Sequence, residues 1–196
     1  MRHKATAVAV LVGAAVFGAI DQYLGAQYSP FLIEVSGLSA PWLLVPFLAG
    51  TSQLAARPAA LLGLAATWLA VAAYSLMNVS PMEGVHLTQQ AYLGSLTRQW
   101  PWLAGALITG PLYGWLGYRF RARRSWTVGL LAALPVLLEP VGRWLTTHLG
   151  LDRLARWQFS WPPAGLGRGA VSAMLAEACL GLLLIAVMTA VALRST

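Results

Sequence analysis

The charged residues of this chain sort by sign between the gaps that separate six long apolar segments. One set of segments comprises the N-terminus, Arg57, Arg119 to Arg124 and the C-terminus. It carries eight of the 13 Lys and Arg and none of the six Asp and Glu. The alternate gaps, with the adjoining helix ends, carry all six acids and the other five arginines. Basic residues stay on the cytoplasmic side of membrane spans, so this alternation predicts six transmembrane helices with both termini inside. The expected fold class is all-α: a bundle of six transmembrane helices forming a single integral membrane domain over residues 1–196, multi-pass in the cell membrane.

The composition is 58% hydrophobic and 10% charged, with a mean hydropathy of +0.66, whereas soluble domains carry about 25% charged residues. Six spans of about 20 residues leave no room for a separate soluble domain. A pI near 10.3 raises nucleic acid as a partner. The basic residues, however, are short juxtamembrane clusters that set topology and attract anionic lipid. The basic stripe on a soluble face that nucleic acid requires is missing. The expected partner is therefore the lipid bilayer, with no nucleic acid. Cys179 is the single cysteine, which excludes an intrachain disulfide framework and a zinc site of several thiolates. Its apolar surroundings in sequence predict a small buried packing residue. Met1 to Lys4 and the apolar run to Ile20 have the outline of a secretory signal, with Leu24-Gly25-Ala26 as a poor cleavage site. The run passes straight into Asp21-Gln22-Tyr23, which favours a retained first helix.

The spans are expected at about 5–24, 40–56, 58–79, 100–118, 126–145 and 169–193. Small residues recur four apart in the first (Ala5, Ala9, Gly13; Ala14, Gly18), and Gly105, Gly110, Gly114 and Gly117 line the fourth. Such lines let helices approach closely in lipid. Pro46 predicts a kink in the second span. Arg57-Pro58 reads as a tight inner turn, and Gly110-Pro111 as an interruption of the fourth span, better taken as a plain kink than as the edge of a ligand site. In the 80–99 loop, Val85, Tyr92, Leu96 and Trp100 recur at helical spacing, which suits a segment lying on the membrane surface, with a solvated turn as the equal alternative. The 146–168 loop reads as an aromatic interfacial cap.

Ionisable groups inside the membrane carry the functional signal. Asp21 ends the first span, Glu139 and Arg143 lie on the fifth, and Glu177 lies on the sixth. Counting helical rise, Glu139 stands about 20 Å above the inner interface, Asp21 about 24 Å above it, and Glu177 about 12 Å below the outer end. Tyr74 and Asn78 reach similar heights on the third span. Glu139 and Arg143, four apart, share a face and can pair. Glu177 falls on the small-residue line Gly169, Ala173, Gly181, which points it into the bundle. These six residues are the candidate ligand-binding set. The plainer reading makes Glu139–Arg143 a structural staple and Asp21 an interfacial end residue.

Enzyme signatures are missing: no His-Glu-x-x-His and no Gly-x-Ser-x-Gly occurs. Glu139-Pro-Val-Gly-Arg143 resembles part of the Glu-Glu-x-x-x-Arg motif of the prenyl-protein protease family, with Leu138 in place of the first Glu and no histidine well placed in a span. The stretches 21–25 (DQYLG), 39–44 (SAPWLL), 76–81 (LMNVSP) and 109–114 (TGPLYG) resemble an uncharacterised family of small six-helix actinobacterial membrane proteins. That resemblance covers the first five spans and implies no activity. The gross layout is similar to the substrate-binding subunits of energy-coupling-factor transporters, and it implies an outward solute pocket capped by loops.

The expected function is binding or translocation of a small cationic or zwitterionic solute, without a cofactor or metal. The solute would enter a polar pocket in the outer half of the membrane, with the 80–99 and 146–168 loops as lids. A non-catalytic scaffold subunit, docking a membrane partner through the small-residue faces of the first and fourth spans, is the alternative. A membrane enzyme using Glu139 and Glu177 is the weaker third reading.

Overall fold

The computed structural model describes residues 2–149 and 168–193, which are helical and turn-linked with no strand among them. The 150–167 part of the aromatic cap lies outside the described residues. Eight α-helices follow in order: α1 (Arg2–Gly25), α2 (Pro30–Ser36), α3 (Ala40–Thr51), α4 (Ala56–Met77), α5 (Gln89–Arg98), α6 (Trp100–Arg123), α7 (Trp126–His148) and α8 (Arg168–Leu193).

Among the described residues four helices are long and apolar enough to cross a membrane: α1, α4, α7 and α8. A fifth span arises if α2 and α3, bent by 49° at their junction, count as one. Large apolar side chains on these helices face outward. On α1, Val8, Val12, Val16 and Ile20 are exposed at four-residue spacing, and Leu175, Leu182, Leu183 and Val187 are exposed on α8. Water would not tolerate this much continuous apolar surface. The chain is a multi-pass membrane protein. Six spans require α6 as well, which is long enough but diluted by glycine, tryptophan and tyrosine.

The interior is built from small residues. Ala49, Ala59, Ala66, Ala70, Ala132 and Ala133 are fully buried. Apolar side chains gain little by hiding from lipid, so close backbone approach supplies the packing instead. A Cβ on Gly18 would strike the Ala70 carbonyl of α4, and one on Gly114 would strike that of Ala59. One on Gly117 would strike the Phe47 carbonyl of α3, and one on Gly181 would come within 3.0 Å of the Leu137 backbone of α7. Most of the α6 glycine line is therefore used within the chain, against α3 and α4. On α1, by contrast, Ala5, Ala9 and Gly13 stay exposed.

Several local expectations change. Helix α6 is continuous through Gly110-Pro111: the proline costs one N–H bond, and Gly110 serves close approach to Leu64. Helix α4 begins at Ala56, so Arg57 and Pro58 lie in its first turn, where a missing N–H is harmless. The gap after α1 holds a short helix, α2. In the 80–99 stretch, Tyr92 and Leu96 lie on α5, but Val85 does not. Cys179 is exposed, because two residues past the inward-facing Glu177 a helix has turned through about 200°.

The contacts also define two ends. Arg121 donates to the Thr51 carbonyl at 3.2 Å, Phe47 lies against Phe120, and Gly129 meets Met188. These bring the α3–α4 link, the α6–α7 link and the end of α8 together, with Arg57, Arg119, Arg121, Arg123 and Arg124. Asp21, Glu34, Glu83, Glu139 and Glu177 lie toward the opposite end.

Candidate functional site

Helix α7 carries an ion pair that clamps the break between α2 and α3. The Glu139 carboxylate accepts hydrogen bonds from Ser39 N at 2.9 Å, Ser39 Oγ at 3.0 Å and Ala40 N at 2.5 Å. It thus caps the N-terminus of α3 from another helix, where Ser39 makes no side-chain cap of its own. Negative charge suits this end of the helix dipole. One turn on, Arg143 pairs with Glu139 through Nη2 at 3.0 Å and Nε at 3.1 Å. Arg143 also donates through Nη2 to the Gly37 carbonyl just past α2, and its Nη1 lies 3.9 Å from Glu34. Positive charge suits that end of the dipole. The two charges therefore serve opposite ends of a broken helix and each other.

Glu177 is placed at the same level. Gly181 meets Leu137 and Gly129 meets Met188, so the antiparallel α7–α8 register sets Glu177 beside the Glu139–Arg143 turn. It is 1% exposed. Among the described residues, no N–H donor reaches either of its carboxyl oxygens. Its neighbours are the Glu139 carboxyl, which stands as a side-chain hydrogen-bond partner to it, and Arg143.

A second polar group lies between α1, α3, α4 and α5. Gln22 donates to Asn78 at 3.4 Å and to Glu83 at 3.5 Å, and Asn78 donates to the buried Ser95 at 3.2 Å. Asp21 is nearly buried and faces the Trp42 side chain. Trp42 in turn packs edge-on against Phe17 and Tyr74, with ring centroids 5.2 and 5.9 Å apart.

The six candidate residues thus fall into two sets. Glu139, Arg143 and Glu177 are together, and Asp21, Tyr74 and Asn78 are together. The first turn of α3 lies between them, with Ala40 on one set and Trp42 on the other. Sequence reasoning missed Glu34, Ser39, Gln22, Trp42, Glu83 and Ser95. Ser39 was signalled only by its place before the Ala-Pro start of a helix. Gln22 was signalled by its neighbour Asp21.

An open depression of about 660 Å3 on α5, lined by Thr88, Gln89, Leu93 and Thr97 among others, touches none of the six. Among the described residues no group of three or more His, Cys, Asp or Glu could hold a metal ion. No protein-family model, curated protein or solved structure matches this chain. The chemistry of the site is therefore read from its own geometry. Glu139 is held by backbone, hydroxyl and guanidinium donors, and the Glu177 carboxyl beside it has, among the described residues, no N–H donor of its own.

Proposed function

We propose that the protein binds or translocates a small cationic or zwitterionic solute in the outer half of the cell membrane, and that Glu177 is the group that holds it. In this reading α2–α3 forms one broken span and α6 the sixth, with both termini inside. The basic end then faces the cytoplasm and the polar groups face outward. The observation that carries the reading is Glu177: buried, on a lipid-embedded helix, set against a second carboxyl and with no N–H donor to its oxygens among the described residues. A carboxyl at such depth costs several kcal/mol relative to an apolar side chain. Its retention favours use over structure. Glu139 and Arg143 already have structural work, and they supply the local field around the solute. Asp21, Tyr74 and Asn78 form a second polar station on the same side.

The test titrates small primary amines, quaternary ammonium compounds and amino acids against the purified protein in lipid nanodiscs, with thermal stabilisation as readout. At least one class stabilises the parent, and Glu177→Gln, which keeps shape but removes charge, abolishes the shift while still folding. No stabilisation of the parent by any class would contradict the reading, as would an undiminished shift in Glu177→Gln.

The scaffold reading keeps one observation in its favour. Ala5, Ala9 and Gly13 on α1 are exposed, and a Cβ on Gly13 would meet open space. Under that reading Gly13→Leu would abolish a co-purifying membrane partner without altering solute-induced stabilisation.

A further inference from the structure

Glu177 poses a question of access. At 1% exposure it cannot take a solute unless something moves. Helix α7 does not move cheaply. It meets α8 at Gly181, which lies against the Leu137 backbone, and at Gly129, which lies against the Met188 side chain. Helix α2 packs on both α8 and α1, and it is built differently. It has seven residues and none of them is buried. It joins α3 through the unwound stretch 37–39, at a 49° bend. Elements with few buried contacts open at low cost, and hinges fall at such element ends.

The polar contacts on the two sides of this hinge are unequal. Glu139 grips the α3 side through three hydrogen bonds. On the α2 side, Arg143 reaches the Gly37 carbonyl and approaches Glu34 at 3.9 Å, a long ion pair. We propose that α2 is the gate of the Glu177 site, swinging about residues 37–39 on a fixed α3 and latched shut by Arg143 against Glu34. The gate rests on the solute-site reading and adds how that site is reached. It also moves the role of lid from the 80–99 loop to the segment before α3, because α5 docks on α4, with Tyr92 donating to the Ala72 carbonyl at 3.4 Å.

The structure offers a lock for this movement. A Cβ on Gly25 would stand 3.4 Å from that of Ser36, close to the separation of about 3.8 Å found in disulfides. A Gly25→Cys/Ser36→Cys pair, once oxidised, would tie the end of α2 to α1.

The experiment uses the full chain in nanodiscs, with Glu177→Cys as reporter in a Cys179→Ser background. Modification by a membrane-impermeant trimethylammonium methanethiosulfonate is followed by mass. The reporter is modified slowly in the parent background. Adding Glu34→Gln speeds modification about two- to fivefold, the range expected for weakening a partly exposed ion pair. Adding the oxidised Gly25–Ser36 disulfide slows it by about tenfold or more. Equal rates in all three would overturn the gate, and so would a rate unmoved by the disulfide. Modification does not involve the solute. A working gate on a protein that binds none of the tested solutes would sink the functional reading alone. Solute stabilisation with a reporter indifferent to both changes would sink the gate alone.

Discussion

Glu139 and Glu177 sit level with each other on adjacent helices, and their surroundings separate their roles. Glu139 accepts from two backbone N–H groups, a hydroxyl and a guanidinium. Glu139→Ala would orphan the start of α3 and leave Arg143 without its main partner. It should destabilise the protein by about 2–4 kcal/mol, whereas Glu139→Gln, which keeps an acceptor oxygen, should cost less. Thermal unfolding in detergent measures both, and a Glu139→Ala protein as stable as the parent would refute the clamp. Glu177→Leu should have the opposite sign, a more stable protein that has lost solute binding. The sequence made both acids visible as intramembrane charges and paired Glu139 with Arg143 by spacing. It could not show the cap on α3, because that contact joins residues 100 positions apart. Nor could it show that Asp21, Tyr74 and Asn78 lie on the far side of the α3 first turn, since depth along a helix says nothing of which neighbour stands beside it.

At the scale of elements, small-residue spacing was the most legible signal. Gly110, Gly114 and Gly117 are buried on α6 and set against the backbones of α3 and α4. Gly114→Ala already places a methyl on the Ala59 carbonyl and 3.2 Å from the Ala60 Cα. It should lower stability by about 1–3 kcal/mol, and Gly114→Leu should prevent assembly altogether. Size-exclusion profiles and unfolding temperatures in detergent check this, and a silent Gly114→Leu would remove the packing account of α6. Gly110-Pro111 carries the signals of an interruption, with a plain kink the favoured reading, and α6 runs on through it: a single proline can sit in a continuous helix when the helix packs on both sides of it. The true break lies at residues 37–39. Its signals are present in Pro30, Gly37 and Pro41, which suit a helix start, a helix end and a second start, but α2 by itself is too short to be read as a span.

For the whole molecule, sidedness governs everything above. Hydropathy and length mark four spans, or five with the bent pair. Helix α6 is long enough but falls outside this set because glycine, tryptophan and tyrosine dilute its hydropathy. Charge supplies what hydropathy does not. The arginines at 57 and 119–124 gather at one end and the five described acids lie toward the other, and under the proposed reading the positive-inside rule would put the basic end in the cytoplasm. The most direct test is a topology map with paired reporters, one active only in the cytoplasm and one active only outside. Fusions at Arg121 and after Thr196 should be cytoplasmic, and insertions at Ser36 and Gln90 should be external. An external signal at Arg121, or a cytoplasmic one at Ser36, would place Glu177 and its gate on the wrong side and contradict an outward-facing solute site.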